Sequence, residues 1–249
     1  MSTSSPTTRA RIRRATKADI EELSHVLARS YARDPFDNWV KGAKFMLSSA
    51  NTKDPQEVKA LEHMRYFQWS LARLFLFCGQ IDVVVVPIEG REKIVAVTCW
   101  VEPGKTADPS PLSLLRMRIF RVWRAWGFKP LKRMLNDFIP RTDKVKKDAF
   151  RARGKELKDA WYLGMVATDP DHEGRGYTSM MVKARFKSIG STPIQLEASN
   201  AKARDIYAHY GFQLVEPVLM GVGKVDSDGV IAHGEKATGV PTFVMIKWH

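Results

Sequence analysis

At 249 residues, 44% of them hydrophobic, the chain can bury a core as one large domain or as one domain with a substantial insertion. The 40 Lys and Arg against 27 Asp and Glu leave a formal charge of +13, which fits a nucleic acid, an anionic membrane surface or an anionic small molecule. No apolar run reaches the roughly 18 residues a membrane-crossing helix needs, and neither the two cysteines nor the six histidines fall at metal-ligand spacing.

Cys78 and Cys99 both lie in apolar segments, so buried free thiols in a reducing, cytoplasmic compartment are expected, with no metal and no disulfide. Residues 1–14 are rich in Ser, Thr and Arg without an apolar centre, which does not read as a secretory signal. Residues 1–9 are expected as a disordered tail, and 10–249 as one domain.

A short strand is expected over 11–14, followed by a helix. Thr16 and Asp19 have capping-box spacing, and Ile20, Leu23, Leu27 and Tyr31 form a helical stripe that Asp34-Pro35 is expected to stop. Asp54-Pro55, with Glu57 following, opens a second helix that runs towards Phe77 and buries Leu61, Met64, Leu71 and Leu74. Val-rich runs over 81–86 and 93–101, with Glu89-Gly90 between them, read as an antiparallel hairpin.

After Glu102-Pro103-Gly104 the pattern changes. Residues 111–159 are helical in period and heavily basic, with breaks at 127–130 and at Pro140. In this 105–159 insertion Arg116, Arg118, Arg121 and Arg124 alternate with Leu115, Ile119, Phe120, Trp123 and Trp126. Three readings stand beside each other: a substrate lid packed on the domain, a partner contact, or an amphipathic helix on an anionic membrane. Strand signals resume over 161–168. A helix from Tyr177, a strand over 194–198, a helix over 201–210 and an antiparallel pair over 213–220 and 242–248 complete the chain. The order describes an α+β domain around one central sheet.

The strand over 161–168 ends in Asp169-Pro170, and Gly174 and Gly176 then precede a helix. Glycines there let the backbone approach an anion, and the free amides and dipole of the helix start favour phosphate. Arg175 adds positive charge, whereas His172, in the same turn, reads as solvent-exposed.

The run from Trp161 to Met181 resembles the acyl-CoA motif of the GNAT superfamily, whose six turn positions fall here on Glu173, Gly174, Arg175, Gly176, Tyr177 and Thr178. The first position departs from the family's Gln or Arg, and the last from its Gly or Ala. A carboxylate beside a pyrophosphate is repulsive unless it turns away or pairs, and the Thr side chain needs room. The closing segment resembles the family more closely. Glu197-Ala198-Ser199-Asn200 ends a strand, and Ala203, Ile206, Tyr207, Gly211 and Phe212 follow the family's helix pattern. The strand is most like that of puromycin-type small-molecule acetyltransferases. The 105–159 insertion lies outside the resemblance.

The resemblance implies a mostly antiparallel sheet splayed at the acyl-CoA site. It also implies acetyl-CoA as acyl donor, an amine acceptor and direct attack through a ternary complex. It places the acyl and pantetheine arm along Met165, Val166, Ala167 and Thr168, whose unpaired amides would steady a developing oxyanion. It puts the phosphates at Glu173 to Thr178, with Asn200 and Ala203 flanking the cofactor. It assigns Tyr207 as general acid, since a phenol with a reference pKa of about 10 stays protonated at neutral pH. Glu197 and Glu102 are the candidate bases. Expected partners are a small-molecule amine and no nucleic acid, without stable membrane insertion, the chain acting as a monomer or homodimer. Acetylation of a protein lysine or N-terminus, O-acetylation, and a non-catalytic acyl-CoA sensor are the alternatives.

Overall fold

The computed structural model describes residues 10–107 and 110–248. The tail expected over 1–9 lies outside them. Seven strands form one sheet in the order β1-β2-β3-β4-β5-β7-β6. They are β1 (Arg11–Arg14), β2 (Gln80–Ile88), β3 (Arg91–Val101), β4 (Trp161–Thr168), β5 (Ile194–Ala198), β6 (Gln213–Met220) and β7 (Val240–Lys247). Every neighbouring pair is antiparallel except β4 and β5.

That exception positions the site. β4 and β5 pair only at Trp161 with Ile194 and Tyr162 with Gln195, after which they separate. β5 stays fully paired with β7 on its other side. On β4's other side the register with β3 shifts between Cys99 and Trp100, so that Gly164 has no opposite residue. A Cβ at Gly164 would overlap the buried Phe75 ring, so glycine is required where the strand bulges.

The first helix, α1 (Ile20–Ser30), is launched by the capping box: Ala18 N–H donates to the Thr16 hydroxyl, and Thr16 N–H donates to Asp19 at 2.7 Å. Ile20, Leu23 and Leu27 are buried as the period required. Asp34-Pro35 does more than stop this helix. Asp34 accepts hydrogen bonds from Phe36 and Asp37 amides and caps a further helix, α2 (Pro35–Lys41). The same Asp-Pro chemistry at 54–55 opens α3 (Pro55–Cys78), which buries Met64 and Leu74 and half-buries Leu61 and Leu71.

The insertion contains α4 (Pro111–Met117), α5 (Phe120–Trp126), α6 (Lys129–Arg133) and α7 (Ile139–Arg151). The expected break at Pro140 does not occur. A π-helical turn, Met134–Phe138, carries the chain into α7, and Pro140 falls in the first turn of α7, where its missing N–H costs little. Val122 and Phe138 pack with Trp39, Val40, Met64 and Phe67, and Phe150 packs against Trp248 with ring centroids 4.8 Å apart. The insertion's inner face is therefore core. Beyond it, α8 (Tyr177–Ile189) and α9 (Ala201–His209) flank the second half of the sheet.

Candidate active site

The gap between β4 and β5 opens into a cavity of about 630 Å³. One wall is β4 itself, represented by Met165, Val166, Ala167 and Thr168, and another is formed by Asn200, Ala203 and Tyr207 of the α9 segment. Phe67 and Leu71 of α3, with Met134 and Phe138 of the insertion, close an apolar end. The cavity's acidic lining is Asp34, the cap of α2, with Asp37, Asp143, Glu173 and Glu197.

The resemblance implies unpaired amides along β4, but side chains of α1 cover part of this edge. Val166 N–H donates to the Tyr31 hydroxyl at 3.2 Å, and that hydroxyl donates to the Val166 carbonyl at 2.9 Å. Ser30 donates to the Thr168 carbonyl at 2.7 Å. The C-terminal end of α1 thus covers the strand with two side-chain hydroxyls. Their sequence distance from β4 hid this pairing from a local reading.

At the mouth, Gly174 and Gly176 both adopt positive φ, 74° and 76°, a region open to glycine at little cost. Gly176 is the N-cap of α8 and makes no side-chain capping bond, and the space around both glycines is open. The first amides of α8 therefore face outward with the helix dipole behind them. Arg175 and Glu173 are exposed, and Glu173 also borders the cavity. Thr178 finds room by placing its hydroxyl 3.1 Å from that of Thr168, which ties the turn to the end of β4. Arg29 anchors the turn from below, 2.9 Å from Asp169 and 2.7 Å from Asp171. Burial works to raise the Asp169 pKa, but Arg29 and the Asp171 amide prevail and hold it below the usual carboxylate value. His172, read as exposed, is buried with Nδ1 3.5 Å from Asp169. The three-residue 3-10 turn Pro170–His172 folds it inward.

Asn200 caps α9, its Oδ1 accepting from Ala203 N–H at 2.9 Å, and it borders the cavity as well. Tyr207 borders the cavity from α9, and its phenol is pushed above the ordinary tyrosine value by burial and by the charge of Asp34. It stays protonated at neutral pH.

The two candidate bases differ in surroundings. Glu197 is 2.6 Å from Lys146 of α7, with side chains only 5% and 7% exposed, and Lys146 lies 2.9 Å from Asp143 as well. Glu102 forms a 2.5 Å ion pair with Lys105 and is not part of the cavity wall. Asp34 was read only as a helix signal, yet together with Glu197 it lines the cavity. Ser199 donates to it at 2.6 Å and Asn200 at 3.4 Å, and burial raises its pKa despite these bonds. Its neighbour Asp37, which accepts from Gln68 at 2.8 Å, is pushed up to about 8 by burial and by Asp34. Among the described residues no cluster of three or more His, Cys, Asp or Glu is arranged to hold a metal.

A mixed sheet that splays at its parallel pair, with a glycine turn and open helix start at the mouth, defines an acetyltransferase fold of the GNAT type. The acetyltransferase (GNAT) domain model matches residues 149–215. An uncharacterized N-acetyltransferase of Schizosaccharomyces pombe is 30% identical over 126 residues, 50% of this chain and 49% of that protein. A probable serine/threonine-protein kinase of Dictyostelium discoideum is 24% identical over 69% of this chain, which is 17% of its own length. The chain thus spans half or less of the curated relatives it matches. In fold it is similar to a Corynebacterium glutamicum structure described as histone acetyltransferase HPA2 and related acetyltransferase, with TM-score 0.54 and 22% identity over 96% of this chain and 95% of that one. Arylalkylamine N-acetyltransferase 2 of Aedes aegypti gives TM-score 0.54 at 13% identity, over 96% and 98%. Residues 149–215 thus resemble a GNAT acetyltransferase domain, and the chain around them has the same fold.

Proposed function

We propose that the chain transfers an acetyl group from acetyl-CoA to the amine of a small molecule by direct attack. The observation that carries this reading is the cavity opened by the splay of β4 from β5, with a protonated Tyr207 and the Asp34 carboxylate both on its walls. The residues present fit the donor. Uncapped amides at the start of α8, positive-φ glycines and Arg175 suit its phosphates. The β4 edge suits its amide-bearing arm, because the Tyr31 hydroxyl that holds it can rotate away where a paired strand could not. The names of the fission-yeast relative and of the mosquito neighbour support an amine as acceptor.

Acetyl-CoA supplies the activated acyl group as a thioester. Asp34 takes the proton of the incoming ammonium, a role that suits a cavity carboxylate whose pKa burial raises. The Val166 amide, released from Tyr31, steadies negative charge on the acyl oxygen. Tyr207 gives its proton to the departing sulfur and is restored by the second proton the nitrogen sheds as the amide forms. Of the two protons the ammonium loses, one thus ends on the thiol and one leaves through Asp34 to solvent. Glu197, already neutralised by Lys146, serves in this reading to hold the insertion against β5 rather than to take a proton. Glu102 lies off the cavity wall and takes no part.

The insertion walls off the acceptor end with Met134 and Phe138, which favours a small molecule with an apolar body over a protein lysine or N-terminus. Glu173 favours a second reading, an acyl-CoA sensor, since it sets a carboxylate at the mouth of the phosphate turn. The test is thiol release from acetyl-CoA across a panel of primary amines, alcohols and lysine peptides, with wild type and Tyr207→Phe. Turnover on apolar amines that falls about 10²-fold in Tyr207→Phe, with acetyl-CoA affinity nearly unchanged, is expected. Binding without turnover on any acceptor would establish the sensor instead, and equal loss of turnover and affinity would remove the acid role.

A further inference from the structure

The outer face of the insertion is used by neither the core nor the cavity. Met117, Val122 and Pro130 point inward and are buried. Leu112, Leu115, Phe120, Trp123 and Phe128 are exposed, Leu115 at 75% and Phe128 at 60%. Trp123 and Phe128 stack on each other, ring centroids 4.4 Å apart, so α5 and the start of α6 present one continuous aromatic surface. Five large apolar side chains exposed within residues 112–128 make the kind of apolar surface that marks an interaction site.

The charge around this surface has one sign. Between Ser110 and Asn136 the chain contains no Asp or Glu. Arg116, Arg118, Arg124, Lys129 and Lys132 are exposed there, and none is in an ion pair among the described residues. Arg116 lies over the half-exposed Phe77 ring at 3.7 Å, which extends the cationic, aromatic surface to the end of α3. Nucleic acid would also meet cations and aromatic faces. It offers nothing to Leu112 and Leu115, the latter the most exposed large apolar residue among those described, because branched aliphatic side chains gain from hydrocarbon and not from stacking.

We propose that the outer face of α4, α5 and α6 docks the protein on an anionic lipid surface, with Leu112, Leu115, Phe120, Trp123 and Phe128 entering the headgroup–acyl boundary and the surrounding Arg and Lys meeting the headgroups. The docking is peripheral. No helix among the described residues is long and apolar enough to cross a membrane. The face is independent of acetyl transfer, so its test stands whether or not the cavity binds acetyl-CoA.

The test is co-sedimentation of the full chain with phosphatidylcholine vesicles, with and without phosphatidylserine, at low and high salt. Binding to the anionic vesicles alone, weakened by salt, is expected. Combining Arg118→Gln, Arg124→Gln and Lys129→Gln should weaken it on the order of 100-fold, about fivefold per charge. Leu115→Ser with Trp123→Ser should weaken it at least about tenfold and abolish salt-resistant binding. All these positions are exposed, and an unchanged unfolding midpoint will show that each variant is folded. Failure to bind anionic vesicles, or binding that these substitutions leave unaltered, would overturn the proposal. So would tighter binding of the wild type to single-stranded RNA than to vesicles, lost with the same substitutions.

Discussion

Replacing Lys146 by Met tests how the insertion is joined to the acyl site. Lys146 lies on α7, nearly buried, and its ammonium meets Glu197 of β5 at 2.6 Å and Asp143 at 2.9 Å. Burial and the charge of the same Glu197 push the Tyr162 phenol up, and its ring lies 5.4 Å from the Lys146 nitrogen. Burial pulls the Lys146 pKa down, but Glu197 and Asp143 outweigh it and hold it above the ordinary lysine value. Methionine fills a similar volume, so the change removes a charge and leaves little cavity. Glu197, 5% exposed, is then left without its cation, while Asp143 keeps Lys147 at 3.9 Å, at a cost of about 3–5 kcal/mol. For a chain of this size that corresponds to a fall in Tm of about 6–20 °C. Denaturant unfolding of Lys146→Met and of Lys146→Met/Glu197→Gln measures it. The double variant should recover at least half the loss, because the uncompensated charge is gone. A pKa raised on folding means the stabilisation is complete below the ordinary lysine value and lost as pH rises through the folded one. The gap between wild type and Lys146→Met should therefore close only in strongly alkaline solution. A single-variant loss below about 1 kcal/mol, or a double variant no better than the single, would refute the reasoning.

Asp34→Asn keeps the α2 cap, since Asn caps as well as Asp, but cannot take a proton. We expect kcat/KM to fall about 10²-fold with stability changed by under about 1 kcal/mol. In the wild type kcat/KM should decline as pH drops through a value above the usual Asp range, and Asp34→Asn should lack that limb; an unchanged pH profile excludes Asp34 as the base. Gly164→Ala should cost about 1–3 kcal/mol by forcing a methyl against Phe75. Gly164→Ala/Phe75→Leu, measured by thermal unfolding, should lose less than the sum of the two single changes, and strict additivity would contradict the contact.

What the chain writes locally was legible. The strand over 161–168, the glycine turn, the Asn200 cap and the closing β6 and β7 pair are each fixed by chemistry within a few residues: β-branched runs, positive-φ glycines and side chains that cap the next helix. Asp34-Pro35 shows the limit. The same dipeptide can follow one helix and begin another, and only the amides of Phe36 and Asp37 decide that it does both. Pro140 reads as a break because the π-helical turn that accommodates it has no sequence signature. Tyr31 on Val166, Lys146 on Glu197 and the burial of His172 depend on which elements pack together, and no local pattern encodes that. Candidate carboxylates were legible on the strands, as Glu197 and Glu102, whereas Asp34 reaches the same cavity from a helix cap that no local pattern ties to it.

The central claim is that the splay between β4 and β5, with the turn at its mouth, is an acyl-CoA site. Isothermal titration of the folded chain with acetyl-CoA tests it directly. Saturable one-to-one binding is expected, with a Kd between about 1 μM and 1 mM, the range in which enzymes hold their substrates, accompanied by a rise in Tm. No heat and no Tm shift at millimolar acetyl-CoA, with the protein shown to be folded, would contradict it.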